Sequence, residues 1–291
     1  MKPYLKLLRV KHYAKNVLIF FPLFFSGQMG NPHLLLQTAL GTVSFCLASS
    51  FVYILNDIRD VGNDRAHPTK RDRPIASGAV PVRQATAIGV LLLVFAALLN
   101  VTWPCDVCAL GHKYLYLAIY IVINCLYSLG CKNIPVLDVA LLSAGYPIRV
   151  LFGGLLAEVP VSSWLFLTVL CISLYLGLGK RHGELSRLGG EKLEAPLGTT
   201  RPVLAKYTLS YLDGEMYLCL GLGLVFYSLW ALEKSMALVY TLPLVLLICM
   251  TYNFLLAGRT DGDPVNVVFS SKALMGLIAV YGMAISLILY L

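Results

Sequence analysis

The residues best suited to chemistry lie between 56 and 78. Asn56-Asp57-Ile58-Arg59-Asp60-Val61-Gly62-Asn63-Asp64 sets Asn56, Asp60 and Asp64 four residues apart. On a continuing helix each step of four turns by about 40°, so the three side chains climb one face as a ladder of oxygen donors. Such donors suit Mg²⁺, which takes one or two carboxylates and completes its shell with water and substrate phosphates. Acids this close repel one another unless a cation lies among them. A solvated helix end paired by Arg59 and Arg65 is the plainer alternative, although acids at a membrane helix end are costly. Next comes His67-Pro68-Thr69-Lys70-Arg71-Asp72-Arg73-Pro74-Ile75-Ala76-Ser77-Gly78. Pro68 turns the chain, and Lys70, Arg71 and Arg73 set dense positive charge beside the ladder. Metal ligands beside phosphate-binding cations are what a Mg²⁺–diphosphate requires. Alone, the basic cluster could equally serve to fix orientation in a membrane.

The remaining sequence has to hold this constellation in place, and it is strongly apolar. Of 291 residues, 58% are hydrophobic and 13% charged, against roughly a quarter charged in ordinary soluble domains. Mean hydropathy is +0.76. A soluble enzyme, a disordered chain and a disulfide-built secreted domain are thereby excluded. Apolar runs near 16–30, 34–55, 84–103, 113–130, 136–157, 161–179, 212–232, 236–257 and 272–290 approach the length of a membrane span. The first follows five basic residues and precedes no small-residue cleavage site, so it reads as a retained span.

The net charge of +8 would suggest nucleic acid in a soluble protein, but here its distribution matters more. With nine spans and the N-terminus inside, all 23 Lys and Arg except Lys113, Arg149 and Lys234 fall on inner segments. Of the 15 acids, only Asp106, Glu158 and Glu233 fall outside. Carboxylates gathered with Lys and Arg suggest a polar site on the inner face, although longer inner loops explain part of the bias. The expectation is an all-α polytopic membrane protein, one membrane-embedded domain over 1–291, with nine transmembrane helices around a central polar cavity. Two inner loops, about 56–83 and 180–211, stand out. N-terminus and active site would face the cytoplasm from the inner membrane, with membrane lipids and no nucleic acid as surroundings, and an oligomer left open.

Two further features lie in or between spans. Asp138 and Arg149 are eleven residues apart and share a helix face, separated by about 16 Å along a regular axis. Arg149 therefore lies deep in the membrane, lining a polar chamber or pairing with another span. Pro147 beside it can free carbonyls that help hold it. Cys105-x-x-Cys108, with His112 nearby, lacks a fourth ligand for zinc. An outward-facing disulfide or no role at all fits it better.

Asn-Asp-x-x-Asp-x-x-x-Asp at the inner end of the second of nine helices, followed by Lys70-x-x-Arg73-Pro74-Ile75-x-x-Gly78, resembles the UbiA superfamily of intramembrane prenyltransferases. A narrower resemblance covers almost the whole chain. It is carried by Lys15-Asn16, Tyr127-Ser128-Leu129, Lys132-Asn133-Ile134-Pro135-Val136-Leu137-Asp138-Val139, Gly145-Tyr146 with Arg149, Gly179-Lys180-Arg181 with Glu184-Leu185, Arg201-x-Val203-Leu204 with Tyr207-Thr208, and Gly262-Asp263-Pro264-Val265. These are similar to the decaprenyl-phosphate phosphoribosyltransferase branch.

The resemblance implies transfer of 5-phosphoribosyl from phosphoribosyl diphosphate to a polyprenyl phosphate, with diphosphate released, for polyprenyl-linked sugar and arabinan-type envelope glycan. It implies Mg²⁺ on Asn56, Asp60 and Asp64, with Asp60, Asp64 and Lys180 as catalytic residues. Lys15, Lys70, Arg73, Lys180 and Arg181 would hold phosphates, and Tyr127 and Asp138 would position the ribose. Asp57, Lys132, Arg149 and Glu184 complete the expected substrate site. One departure from the wider superfamily is informative. The place after the sixth helix that usually carries a second acid-rich motif reads Lys180-Arg181-His182-Gly183-Glu184. More cations and fewer acids suit a donor and an acceptor that both carry phosphate. Lys180 and Arg181 could also simply anchor the helix at the interface. An aromatic prenyltransferase is the second reading, and a transporter or lipid carrier the third.

Overall fold

The computed structural model describes residues 2–66, 70–101, 107–188, 202–258 and 262–291, with the backbone only for Lys2 and 107–110. His67, Cys105, Arg201 and the side chain of Cys108 lie outside the described residues. Within the described residues the regular structure is helical. In order, the α-helices and the longest 3₁₀ helix are α1 (Lys2–Leu8), a 3₁₀ helix (Val10–Phe20), α2 (Phe21–Phe25), α3 (Pro32–Arg59), α4 (Val61–Ala66), α5 (Val82–Val101) and α6 (Val107–Leu129). Then follow α7 (Leu137–Leu156), α8 (Ser163–Arg187), α9 (Leu209–Lys234), α10 (Leu242–Ala257), α11 (Pro264–Ser270) and α12 (Lys272–Tyr290).

Seven helical stretches among the described residues are long and apolar enough to cross a membrane. They are Pro32–Arg59, Val82–Val101, Leu137–Leu156, Ser163–Arg187, Leu209–Lys234, Met236–Ala257 and Lys272–Tyr290. α6 covers the expected fourth run. The expected first span differs: residues 10–25 form a 3₁₀ helix and one short α-helix instead of one long helix. Pro22 starts the short helix, and Asn16, inside the 3₁₀ helix, is buried by a polar partner and not by lipid. α8 also runs on to Arg187, past the expected end at 179, because Arg181 and Leu185 are buried there and Arg181 pairs with Glu184 one turn on.

The chain forms two compact units, each with its own core. The first takes the described residues of Met1–Ile134 and Ile148–Pro160, and the second those of Pro135–Pro147, Val161–Ala195 and Pro202–Leu291. In the first, Phe45, Ala48 and Val52 of α3 pack with Ala96, Leu117, Tyr120, Phe152 and Leu156. In the second, Tyr175, Leu178 and Leu185 of α8 pack with Leu212, Met216, Tyr252, Leu256 and Leu274. Val90, Leu91, Phe95 and Leu98 on α5, and Leu218 and Val225 on α9, are exposed. Such helices bury one face in protein and offer the other to a nonpolar solvent.

Local signals explain how α3 and its continuation are built. Asn31 caps the helix by accepting from His33 N–H at 3.1 Å and Leu34 N–H at 3.5 Å, and Pro32 fills the first turn. At the other end Asp60 interrupts α3, yet its N–H still reaches Asn56 O at 2.9 Å and Asp64 N–H reaches Asp60 O at 2.8 Å. The helical hydrogen-bond pattern therefore passes through the break and keeps the four-residue ladder in register.

Candidate functional site

The ladder opens onto a cavity of ≈ 100 Å³ inside the first unit. Asn56, Asp60 and Asp64 line it together with Lys70 and Arg73, with Tyr127 from the last turn of α6, and with Lys132 from just beyond that helix. All seven are residues that the sequence singles out. Arg9, Asn63 and Ser128 also line it and were not foreseen as site residues. Asn63 and Ser128 stand inside quoted motifs. Arg9 lies in an N-terminal basic run whose charge explains it equally well as a topological signal, so no pattern could have marked it.

The side chains are tied to one another. Lys132 Nζ donates to both carboxylate oxygens of Asp60, at 2.6 and 2.9 Å. Arg73 Nη1 donates to Asp64 Oδ2 at 2.8 Å and to Asp57 Oδ1 at 3.0 Å. Arg9 pairs with the same Asp57 oxygen and lays its guanidinium 5.0 Å from the centre of the Tyr53 ring. Ser128 Oγ donates to Asn56. Lys132 stands on a 3₁₀ turn, Cys131–Asn133, entered through Gly130 at φ 138°, a conformation that a side chain would resist. Asp57 is buried behind the lining residues and does not reach the cavity. It serves there as the counter-charge that fixes Arg9 and Arg73.

Four cationic side chains line the cavity against two carboxylates, so it carries a positive surplus and favours a polyanion. Among the described residues no group of three or more His, Cys, Asp and Glu side chains forms a closed metal cage. Two carboxylates and an amide oxygen on one cavity wall do fit a hard divalent cation that leaves most of its shell to water and phosphate oxygens.

Two expected residues of the first unit lie elsewhere. Lys15 is half-buried on the 3₁₀ helix and is not among the lining residues. Arg149 is buried, donates through Nε to Asn16 Oδ1 at 2.7 Å, and lies 4.9 and 5.0 Å from the Phe45 and Tyr120 ring centres. Of the two roles open to it, pairing with a neighbouring segment is the one observed. Gly153, one turn further, leaves room for the Ile19 backbone, where any Cβ would collide with the Ile19 carbonyl.

The second unit holds a separate charged network. Arg181 Nε donates to Asp138 Oδ2 at 2.5 Å, and Arg181 Nη1 to Glu184 Oε2 at 2.8 Å. Tyr207 donates its hydroxyl to Asp138 Oδ1 at 2.5 Å and accepts the Val136 N–H at 2.7 Å. Val136 needs that tether, because its φ of 68° is strained for a β-branched residue. Burial, and then the hydrogen bond to Asp138, hold the Tyr207 hydroxyl well above its usual range. Arg181 and Asp138, expected at phosphate and ribose, are wholly enclosed, with their charges directed at each other. Lys180 is partly exposed and lies 3.3 Å from Asp263.

Known proteins resemble this chain in sequence and in fold. The UbiA prenyltransferase family profile matches residues 17–264. A decaprenyl-phosphate phosphoribosyltransferase of Mycolicibacterium smegmatis is 36% identical over 237 residues, covering 80% of this chain and 71% of that protein. One of Corynebacterium glutamicum is 31% identical over 299 residues, covering 99% and 86%. A UbiA homologue from Archaeoglobus fulgidus, solved bound to DMAPP and Mg²⁺, superposes with a TM-score of 0.72 at 17% identity, over 99% of both chains. The chain is thus an integral membrane transferase with a UbiA-like helical fold, and it belongs to the UbiA prenyltransferase family.

Proposed function

We propose that the protein transfers 5-phosphoribosyl from phosphoribosyl diphosphate to a polyprenyl phosphate and releases diphosphate. The observation that carries this reading is the convergence of seven foreseen residues on one positively charged cavity that also bears two carboxylates. The substrate pair rests on the relatives named decaprenyl-phosphate phosphoribosyltransferase, which align along most of this chain.

Asp60 and Asp64, with the amide oxygen of Asn56, would hold Mg²⁺, which supplies charge neutralisation to the departing diphosphate. Lys70, Arg73 and Lys132 bind the diphosphate oxygens and stabilise the charge that grows on them as the bond to ribose C1 breaks. C1 becomes oxocarbenium-like, and an oxygen of the polyprenyl phosphate attacks it. Tyr127, on the cavity wall, orients the ribose. Arg9 and Asp57 keep Arg73 at the wall. In the second unit, Lys180 is a phosphate-binding cation, and the enclosed Asp138–Arg181 pair, with Glu184 and Tyr207 bound to it, positions the helix that bears it. The products are polyprenyl-phosphoryl-phosphoribose and diphosphate, serving polyprenyl-linked sugar for an arabinan-type glycan. We assign the site to the cytoplasmic face of the inner membrane.

Diphosphate release by the purified protein in detergent with Mg²⁺ tests the reading. Phosphoribosyl diphosphate with a polyprenyl phosphate is compared with a prenyl diphosphate and 4-hydroxybenzoate, each beside Asp60→Asn. Release with the first pair alone, lost in the variant, is the expected result. Release with the second pair alone would make the protein an aromatic prenyltransferase. Silence with both would return it to the transporter class.

A further inference from the structure

Both carboxylates on the cavity wall already have cationic partners. Lys132 holds both oxygens of Asp60, at 2.6 and 2.9 Å, and Arg73 holds Asp64 at 2.8 Å. Any divalent cation that uses Asp60 and Asp64 must compete with these two side chains. Any diphosphate that uses Lys132 and Arg73 must compete with the two carboxylates. Resting on the metal–diphosphate reading of this cavity, we propose that Lys132 and Arg73 are exchangeable counter-cations that make the divalent cation and the diphosphate bind cooperatively.

The physical reason is symmetrical. A divalent cation arriving alone takes Asp60 from Lys132 and leaves an ammonium unpaired beside a second positive charge. A diphosphate arriving alone meets Lys132 and Arg73 with their charge already offset. When both arrive, the metal takes the carboxylates and the diphosphate takes the released cations, so no charge is left unpaired. Each ligand therefore raises the affinity of the other by the same factor.

The two cations are suited to this in different ways. Lys132 is a compact charge on a flexible stem, and it and Asp60 are both partly exposed, so it can swing away without moving the backbone. Arg73 also grips the buried Asp57 at 3.0 Å. On releasing Asp64 it stays anchored at the wall, already aimed into the cavity.

Isothermal titration calorimetry on the full chain in detergent tests the exchange with Mg²⁺ alone, inorganic diphosphate alone, and each in the presence of the other, at matched free Mg²⁺. In the unaltered protein each ligand should tighten the other by about tenfold, a usual size for linked sites. Lys132→Met removes the competitor for Asp60. It should bind Mg²⁺ alone several-fold tighter and diphosphate alone several-fold weaker, with the coupling reduced. Asp60→Asn should do the reverse, losing Mg²⁺ while binding diphosphate alone more tightly because Lys132 is released. Thermal unfolding confirms that each variant is folded, and Asp60→Asn carries the test if Lys132→Met is not.

A lysine that only binds phosphate would leave the affinity for Mg²⁺ alone unchanged, and a merely structural lysine would weaken both ligands. Either result in Lys132→Met, with Mg²⁺ and diphosphate both binding the unaltered protein, overturns the exchange but leaves the site reading standing. Failure of the unaltered protein to bind either ligand overturns both.

Discussion

The Arg181 guanidinium donates to Asp138 at 2.5 Å, and solvent reaches neither side chain. A wholly enclosed ion pair costs much in desolvation, and its members depend on each other. Arg181→Met should therefore destabilise the protein by about 3–5 kcal/mol, because the Asp138 carboxylate is left buried with Tyr207 as its remaining hydrogen-bond donor of the pair. The double variant Asp138→Leu with Arg181→Met should lose less than Arg181→Met alone. Thermal unfolding in detergent checks the order. A double variant less stable than both singles would mean that the pair is not the dominant interaction.

Tyr207 links that pair to the strained Val136. Tyr207→Phe leaves a buried acceptor and the Val136 N–H unmade, which should cost about 1–3 kcal/mol. The loss should depend on pH in one direction. The hydroxyl is held above its usual value in the folded protein, so the folded state keeps the proton longer than the unfolded chain. Its contribution is complete below the unfolded value and fades as pH rises toward the folded one. The gap in unfolding temperature between the unaltered protein and Tyr207→Phe should stay level from about pH 6 to about pH 9 and narrow above about pH 10. A gap that widens at alkaline pH would contradict the assignment.

How much of this was legible in the sequence depends on the range of the interaction. Asn56, Asp60 and Asp64 follow a four-residue period, and a local period survives folding, so the ladder lines the cavity. Lys70 and Arg73 were legible as charge beside acids, and Tyr127 and Lys132 through the family resemblance. Arg9 was not, because its pairing with Asp57 spans 48 residues and no period marks it. The partners of Arg181 were not legible for a related reason: a cation's type does not disclose whether its partner is a substrate or a buried carboxylate. The first apolar run also misled, since hydropathy does not register that Asn16 is claimed by Arg149 across 133 residues.

The clasp between Arg149 and the 3₁₀ helix gives a third prediction. Arg149 holds Asn16 at 2.7 Å, and Gly153 admits the Ile19 backbone one turn further on. The same 3₁₀ helix begins immediately after Arg9, a cavity residue. Gly153→Ala would push that segment away, at about 1–3 kcal/mol of strain. It should lower stability and also weaken diphosphate binding, although Gly153 is not itself among the cavity-lining residues. Calorimetry with diphosphate checks this, and unchanged affinity in a destabilised variant would confine the clasp to a purely structural role.

Arg73 gives the last prediction, because it does what a lysine cannot. Its Nη1 bridges Asp57 at 3.0 Å and Asp64 at 2.8 Å, joining a buried carboxylate to one on the cavity wall. A guanidinium keeps several donors in a fixed plane and can release one acceptor while holding another, whereas an ammonium is a single mobile charge. Arg73→Lys preserves the net charge, so a role that is only electrostatic would survive it. A bridging role would not, and kcat/KM for the proposed phosphoribosyl transfer should fall by about 10–100-fold, the range seen when a group that orients a metal ligand is lost. Arg73→Gln should fall further, since it also leaves Asp57 with Arg9 as its remaining ion-pair partner among the described residues. Steady-state kinetics beside thermal unfolding separates the cases. Activity retained in Arg73→Lys would reduce Arg73 to a positive charge, whereas activity lost from a folded variant identifies the bridge itself as what the reaction requires.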